Sequence, residues 1–320
     1  MDVSRAQVPH AQVSRAQIWG FAALVAAVVV APFVLYPIVV MQVMCYALFA
    51  MGTNLLIGSV GLLSLGQSAY FGLGGYVAGY LVQTAGFTPE LGIIAGGLAG
   101  GVLGLVFGWL VIRRQTIYFA MITLALAQIV YFVAVQAADF TGGENGIQGI
   151  PRSALLGVLP LAHDLAMYVV VAVIFLAGFL FVHRAVHSPF GRVIKAIRDN
   201  EPRAISLGYN AGYYKWIVFV LAATLAGVAG STKAMVMGIE TLSDVGASTS
   251  GLVVLMVLLG GIGTIFGPVV GALIVVAMQY YLAPLGAWVV VIQGAIFMVC
   301  VLVFRRGVVG ELAYRLKCQL

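Results

Sequence analysis

Long apolar runs alternate with short clusters of charge along this chain. Ala16 to Pro89 is a run of 74 residues without a charged side chain, and Val245 to Phe304 is another of 60. Four further uncharged runs of 17 to 24 residues lie between charged positions. Because a helix rises about 1.5 Å per residue and the hydrocarbon core of a membrane is about 30 Å thick, about 20 apolar residues can cross it. The pattern predicts an all-α, polytopic membrane protein.

The two longest runs are each long enough for three helices. Turn-forming residues predict breaks near Tyr36-Pro37 and at 58–61 in the first run, and at 263–268 and 284–286 in the last. With the four runs of single-helix length, this gives about ten transmembrane helices. A count of eight, with a single true span in one of the long runs, remains the alternative.

Composition agrees with a chain that has little material outside the membrane. The mean hydropathy is +1.10 and only 8% of residues are charged, whereas a soluble domain carries roughly 25%. A soluble domain of this length would need a polar exterior that the composition does not supply.

The positions of the basic residues predict the orientation. With a cytoplasmic N-terminus, 14 of the 16 lysines and arginines lie inside, as the positive-inside tendency requires, and only Arg152 and Lys233 lie outside. Both termini are therefore expected in the cytoplasm. The predicted segments are a cytoplasmic tail (1–17), a transmembrane domain (18–304) with an external loop (139–164) and a cytoplasmic loop (184–213), and a second cytoplasmic tail (305–320).

Ten spans divide into two halves of five that run in opposite directions across the membrane. Inverted halves are common in transporters, whose pathway lies near the interface of the halves. The third span of each half is rich in glycine, at 61–81 and around 251–273. Uncharged polar side chains interrupt the third and fifth spans, and they could either bond between helices or line a path for a small polar solute. These candidate path residues are Ser64, Gln67, Ser68, Tyr70, Thr123 and Gln128.

Glycines recur at every fourth position in two places. This spacing lets helix backbones approach closely, either within the chain or at a dimer seam. The helix-packing residues predicted in this way are Gly92, Gly96, Gly100, Gly104 and Gly108, and then Gly263, Gly267 and Gly271.

Residue patterns for covalent chemistry are missing from the sequence. It contains no Gly-x-x-x-x-Gly-Lys phosphate loop, no charge placed securely in the middle of a predicted span, and no catalytic set within the spans. His183 and His187 could share a helix face, but histidines are common at the membrane interface, so no metal site is expected. We expect neither an enzyme nor a nucleic-acid-binding protein, and no cofactor on this chain.

Six of the 26 charged residues fall within residues 191–210. A charge in the middle of a span costs about 2.5–3.5 kcal/mol, so this segment must lie outside the hydrocarbon. Ser188 can cap a helix that begins at Pro189, and Gly208 can end a second short helix. Val193, Ile194 and Ile197 form an apolar strip on the first helix. Two capped amphipathic helices indicate a docking element, although a simple positive-inside anchor would also explain the arginines. The predicted docking residues are Gly191, Arg192, Lys195, Arg198, Asp199, Glu201, Arg203 and Gly208.

Four stretches in order along the chain resemble one transporter family. They are SPFGRVIKAIRDNEPRAISLGYN (188–210), GLLSLGQSAYFGLGGYVAG (61–79), TGGENGI (141–147) and LLGGIGTIFGPVVGA (258–272). They resemble LivM-type permeases, the membrane subunits of ABC importers for branched-chain and other hydrophobic amino acids. Urea-importer permeases share much of this pattern.

The resemblance implies a division of labour among several polypeptides. It implies a second permease subunit (so a heterodimer), two cytoplasmic ATPases that bind ATP and Mg²⁺, and an external solute-binding protein, all at a bacterial or archaeal inner membrane. Residues 188–210 would then be the segment that couples the ATPases to the path. The alternatives are a permease for urea or short amides, and a self-sufficient secondary carrier or channel.

Overall fold

The computed structural model describes residues 15–113, 116–152, 164–286, 288–303 and 307–316. Almost all of the regular structure in these residues is helical. The helices are α1 (Arg15–Val34), α2 (Pro37–Asn54), α3 (Gln67–Gln83), α4 (Pro89–Val111), α5 (Thr116–Gln136), α6 (Ala138–Thr141), α7 (Asp164–His187), α8 (Pro189–Asp199), α9 (Glu201–Ser206), α10 (Ala211–Met237), α11 (Leu242–Val245), α12 (Ala247–Gly260), α13 (Gly267–Leu282), α14 (Trp288–Val303) and α15 (Gly307–Leu316). A π-helical turn (Leu55–Val60) extends α2, and two-residue strands β1 (Ile147–Gln148) and β2 (Ile239–Glu240) pair antiparallel.

The predicted all-α, polytopic architecture is confirmed. By length and composition, five helices of the described residues can cross a membrane, and three shorter helices are also apolar. The predicted breaks are present: α1 ends two residues before α2 begins at Pro37, and residues 261–266 separate α12 from α13. Ten of the described helices contain 14 residues or more. The number of spans remains a prediction.

Two long helices form the centre of the bundle. In an apolar stretch of 18 residues in α2 with its π-helical extension, and in α10, 72% of the residues are buried. In the corresponding stretches of α5 and α7 the buried share is 33%. Helix α10 packs on α2, α3 and α4, while α13 packs on α2 and α12. The large buried side chains Phe49, Phe71 and Phe219 fill the space between these helices. The peripheral helices leave their apolar outer faces free to contact lipid or another subunit.

Helices α3 and α12 both begin inside the protein. Each follows a non-helical stretch, residues 61–66 before α3 and an irregular turn around α11 before α12. Their first turns meet, because the Ser68 N–H donates to Ser250 Oγ (2.9 Å) and the Ser68 hydroxyl donates to the Val245 carbonyl (2.9 Å). From this meeting point α3 leads to the β1 strand, where Gln83 donates to the Gln148 carbonyl (3.0 Å), and α12 leads to the turn that bonds to Asn54.

The third span of the first half was predicted as residues 61–81, but its helix begins only at Gln67. Gly61 takes a left-handed conformation (φ 79°), which ends the preceding π-helix. Leu62, Ser64 and Gly66 of the stretch that follows are buried, so its backbone needs partners. Leu65 N–H donates to Thr123 Oγ1 (3.2 Å) and Gly66 N–H to Ser64 Oγ (3.4 Å). These side-chain bonds replace part of the missing helical ladder.

Candidate coupling segment and candidate path

The caps predicted at Ser188 and Gly208 are present in the charged segment, and Asn200 supplies an N-cap that was not predicted. Ser188 Oγ accepts the Gly191 N–H (3.3 Å), and Asn200 Oδ1 accepts the Arg203 N–H (3.0 Å), so each short helix has a side-chain N-cap. Gly208 (φ 90°) follows α9, and the Tyr209 N–H bonds back to the Ala204 carbonyl (3.2 Å). This is a Schellman ending, which glycine favours. We refer to residues 188–208 as the coupling segment.

The apolar strip of the coupling segment faces the bundle. Ile194 and Ile197 are buried, and Ala204 of α9 is buried beside them. Gly191 is required by close contact, because a side chain there would collide with the Val186 carbonyl at the end of α7. Burial of these apolar groups, each contributing about 1.5–3 kcal/mol for a large side chain, fixes the segment to the bundle as a folded unit.

The opposite face of the coupling segment combines basic and apolar side chains. Arg192, Lys195 and Arg203 are exposed. On α9, Leu207 is 70% exposed and Ile205 is 56% exposed. Aliphatic side chains rimmed by charged ones mark protein interaction sites. An anchor that only held the chain at the membrane surface would not require this apolar patch.

Arg198 joins the coupling segment to the two discontinuous helices. Its guanidinium donates to the Gly58 carbonyl at the end of the π-helix, and its Cγ would lie 3.1 Å from a side chain at Gly61, just before the stretch that leads into α3. Asn54 holds the turn after α12 in turn, because it accepts the Gly263 N–H (3.0 Å) and donates to the Thr264 carbonyl (2.9 Å). A displacement of α8 would therefore reach the stretch before α3 through Arg198. It would reach the turn after α12 through the helix that carries both Gly58 and Asn54.

Two further predicted docking residues make ion pairs within the chain. Glu201 Oε1 accepts a hydrogen bond from Lys215 Nζ (2.7 Å), which ties α9 to α10. Asp199 lies 3.2 Å from the guanidinium of Arg198. Arg192, Lys195 and Arg203 are exposed, and Asp199, although paired with Arg198, also has 67% of its side chain exposed, so the outer face carries one carboxylate among its basic groups.

The candidate path residues lie mostly in the protein interior. Five of them are buried: Ser64, Gln67, Ser68, Tyr70 and Thr123. Their polar atoms bond to neighbouring groups, as when Gln67 Nε2 donates to Ser64 Oγ (3.3 Å), although Gln67 Oε1 has no hydrogen-bond partner among the described residues. Gln128, on α5, is half-buried. The structure brings Ser64, Gln67, Ser68 and Thr123 together around the start of α3, and their role in a solute path remains a prediction.

The first glycine series lies on a face of α4 packed within the chain. All five glycines are buried. A side chain at Gly100 would meet the Ala223 carbonyl at 2.8 Å and Gly227 Cα at 3.0 Å, both on α10. At Gly96 it would meet the Gly74 carbonyl of α3 at 2.5 Å. The short spacing of the backbones is what requires glycine here.

The second glycine series is only partly helical. Gly267 and Gly271 belong to α13 and face Gly260 and Met256 of α12. The prediction that Gly263 extends this packing face is wrong, since it lies in the turn between the helices with φ 76°. Its left-handed conformation orients its N–H toward Asn54.

A buried charge cluster was missed by the sequence analysis, which placed Lys233 outside a span. Helix α10 continues past it to Met237, and Lys233 Nζ lies 2.5 Å from Asp244 Oδ2 and 3.7 Å from Glu240 Oε2. All three residues are buried, and Glu240 is completely so. Both Glu240 oxygens lack a hydrogen-bond partner among the described residues. The signal that could have identified the cluster is the pair of carboxylates 7 and 11 residues after Lys233.

Both basic residues that break the positive-inside pattern are paired in the structure. Lys233 contacts Asp244, while Arg152 lies 2.9 Å from Asp164 and donates to the Val236 carbonyl (2.6 Å). His183 and His187 stack with ring centroids 4.4 Å apart. Within the residues that the structure describes, no group of three metal-ligating side chains is present.

The fold and the site together define a class of protein. A helical bundle with interrupted helices at its centre and a capped, partly apolar docking segment at one end is the architecture of a multi-pass transport subunit. The sequence matches the family described as "Branched-chain amino acid transport system / permease component" over residues 35–302. The chain therefore belongs to this family of permease components.

Individual relatives agree with this assignment. The chain is 26% identical to the high-affinity branched-chain amino acid transport system permease protein LivM of Escherichia coli (strain K12), over 82% of this chain and 67% of the relative. It is 23% identical to the corresponding LivH protein, over 83% and 91%. It is also 29% identical to the L-arabinose ABC transporter permease protein AraH of Azospirillum brasilense, over 78% and 74%. No solved structure matches the chain.

Proposed function

We propose that this chain is the membrane-spanning permease subunit of an ABC importer and forms part of the inward path for branched-chain or related amino acids. The substrate class comes from the LivM relatives, which match over most of the chain. The work of ATP hydrolysis is assigned to separate ATPase subunits, which would carry ATP and Mg²⁺. This chain would catalyse no covalent step.

The observation that carries the proposal is the bridging position of Arg198. Arg198, on the coupling segment, donates to the Gly58 carbonyl and packs near Gly61, just before the stretch that leads into α3. Asn54, one turn earlier, holds the turn that follows α12. Movement imposed on α8 by a partner would thus be passed to both interrupted helices, whose first turns meet at Ser68 and Ser250. A rigid element with this connectivity is what coupling requires.

The partners follow from the chemistry of the exposed face. The basic rim and the aliphatic residues of α9 suit a groove on an ATPase that is acidic at its edge and apolar at its centre. A second permease subunit, a second ATPase and an external solute-binding protein complete the assembly. Because the ATPases are cytoplasmic, the proposal places both termini and residues 184–213 in the cytoplasm and residues 139–164 outside.

The rival function is a self-sufficient secondary carrier. The buried charge cluster favours it, because buried charged groups in membrane proteins often mark proton or ion coupling. However, the cluster is joined to the β1–β2 pair through Glu240 of β2, and a carrier has no need of a docking segment with an exposed aliphatic patch. The importer therefore accounts for more of the structure.

Transport by the reconstituted assembly tests the proposal. The chain is co-expressed with candidate permease and ATPase partner subunits, placed in liposomes, and supplied with a candidate solute-binding protein and labelled leucine. We expect uptake that needs ATP and is competed by isoleucine and valine, but not by arabinose or urea. Competition by arabinose or urea alone would reassign the substrate. Uptake by the chain alone, driven by a proton gradient, would favour the carrier.

Labelling of single cysteines tests the orientation. A cysteine at position 203 is expected to react with a membrane-impermeant thiol reagent only after the membrane is opened. One at position 148, in β1, should react from outside in intact cells. Labelling of position 203 in intact cells would contradict the arrangement.

A further inference from the structure

An open groove lies beside the first turn of α10, at the same end of the bundle as the coupling segment. It has a volume of about 350 Å³ and separates the end of α4 from the start of α10. The side chains that determine its character are Trp109, Arg113, Asn210, Tyr213 and Trp216, and Gly212 forms part of its wall. We call this the headgroup groove.

The groove is open to the surroundings of the bundle. Trp109 is 62% exposed and Tyr213 is 55% exposed. The outer face of α4 that leads to it is apolar and exposed at Leu98, Val102 and Val106. Tryptophan and tyrosine concentrate where the hydrocarbon meets the lipid headgroups. The groove therefore lies at the depth of the headgroups, above a face of α4 that can contact acyl chains.

The charge of the groove is positive. The Arg113 guanidinium lies 5.4 Å from the centre of the Trp109 ring and makes no ion pair with any described residue. Among the described residues, no carboxylate lines the groove. A cation supported on an aromatic face keeps its hydrogen-bond donors free for an anion.

The start of α10 adds a backbone donor to the arginine. Asn210 Oδ1 accepts the Tyr213 N–H (3.2 Å) and the Asn210 carbonyl accepts the Tyr214 N–H (3.3 Å). Gly212 is exposed and is the second residue of α10, a position whose N–H has no acceptor within the helix. Its missing side chain leaves the backbone accessible, and the helix dipole makes this end favourable for negative charge.

We propose that the headgroup groove binds an anionic phospholipid, with its phosphate between Arg113 and the first turn of α10 and its acyl chains along the exposed face of α4. A basic pocket between helices at the membrane surface is suited to such a lipid. A zwitterionic lipid gains less, because no acidic side chain in the groove meets its ammonium group. The phosphatidylglycerol headgroup carries a net negative charge and hydroxyl groups that the surrounding donors can recognise.

Native mass spectrometry of the purified chain, titrated with phosphatidylglycerol or phosphatidylcholine, measures the binding directly. Arg113→Gln should weaken phosphatidylglycerol binding about fivefold, since one basic residue near an anionic surface contributes about this factor, and should leave phosphatidylcholine binding unchanged. Gly212→Leu should also weaken it by filling the groove, because a side chain there meets only Asn210 Oδ1, at 3.6 Å. Arg192→Gln, an exposed arginine outside the groove, is the matched control.

Each other outcome overturns the proposal. Equal losses for Arg113→Gln and Arg192→Gln would mean that only net charge matters. Unchanged phosphatidylglycerol binding in both groove variants would mean that the groove is no lipid site and that its aromatic residues are only those common at a membrane interface. Competition by millimolar inorganic phosphate as strong as by the lipid would indicate a site for free anions.

Discussion

Lys233 Nζ lies 2.5 Å from Asp244 Oδ2, and both side chains are buried. The same Asp244 oxygen accepts the Thr241 N–H (3.2 Å), so the ion pair also caps the short helix α11. This pair therefore joins the end of α10 to the irregular stretch that leads into α12. It fixes a non-helical backbone inside the protein, where an unpaired charge would be very unfavourable.

Removing one member of the Lys233–Asp244 pair should destabilise the protein strongly. Lys233→Met leaves a buried carboxylate without its cation, and we expect a loss of about 3–5 kcal/mol. Thermal unfolding of the purified protein in detergent measures the effect. Lys215→Met is the matched control, because its pair with the half-exposed Glu201 should contribute only about 0–1 kcal/mol. Equal shifts for the two variants would contradict the assignment.

Glu240→Gln should have the opposite effect above neutral pH. Glu240 follows the candidate span Ala211–Met237, and burial raises the pKa of its carboxyl well above the ordinary value. A raised carboxyl pKa in the folded state means that stability falls as the pH rises from the unfolded pKa, about 4.3, toward the folded one. The glutamine variant lacks this loss, so it should unfold at a higher temperature than the wild type at pH 8 and differ little at pH 4. Lower stability of the variant at pH 8 would show that the Glu240 carboxylate is ionised and needed.

The helix-packing glycines predict a steric effect. Gly100→Leu would place its side chain against the Ala223 carbonyl and Gly227 of α10, and backbone atoms cannot move aside as a flexible side chain can. We expect a loss of about 1–3 kcal/mol and reduced recovery of folded protein in size-exclusion chromatography. Gly294→Leu on α14 is the control, because a side chain at Gly294 meets nothing within 4 Å. If both variants unfold at the same temperature as the wild type, α4 does not pack closely on α10.

Much of the fold was predictable from local signals. Pro37 and Gly61 mark backbone breaks that no tertiary contact has to create, and Ser188 and Gly208 cap the coupling helices through bonds formed within a few residues. Such features depend on neighbours in the sequence, so a reading of the sequence can find them. Gly58, by contrast, lies within the π-helix, where a side chain would meet the Gly263 backbone at 2.6 Å.

The late start of α3 and the position of Lys233 were not predictable in the same way. Residues 61–66 are apolar enough to continue a helix, and the acceptor for the Leu65 N–H is supplied by Thr123, 58 residues away. A lysine near the end of an apolar run normally marks the membrane surface. Here its partner Asp244 lies on a segment that returns into the bundle, and that return is a tertiary property.

The exposed aliphatic patch of α9 should contribute to ATPase binding. Leu207→Asp places a charge where an apolar contact is expected, while its 70% exposure means that the fold loses little. We expect an unchanged unfolding temperature and less ATPase retained in affinity purification of the complex. Lys195→Asp on α8 serves to separate the apolar from the charged contribution. Full retention of the ATPase by both variants would mean that another surface docks it.

Arg198 should transmit movement rather than hold the ATPase, because its guanidinium donates to the Gly58 carbonyl and to the neighbouring Asp199, so its donors are already used within the chain. Arg198→Gln should therefore leave the ATPase bound but reduce the hydrolysis stimulated by the loaded binding protein, by about tenfold for a lost charged hydrogen bond of about 1.5 kcal/mol. Arg192→Gln, at an exposed arginine of the same helix, should do the reverse. It should retain less ATPase than the wild type, with the largest difference at low salt, where surface charges act most strongly. The complexes that remain should show normal stimulation of hydrolysis. The two effects are read from one preparation by measuring subunit ratio and stimulated hydrolysis. If Arg198→Gln loses the ATPase and keeps its stimulation, this arginine belongs to the docking surface and the two halves are coupled through other contacts.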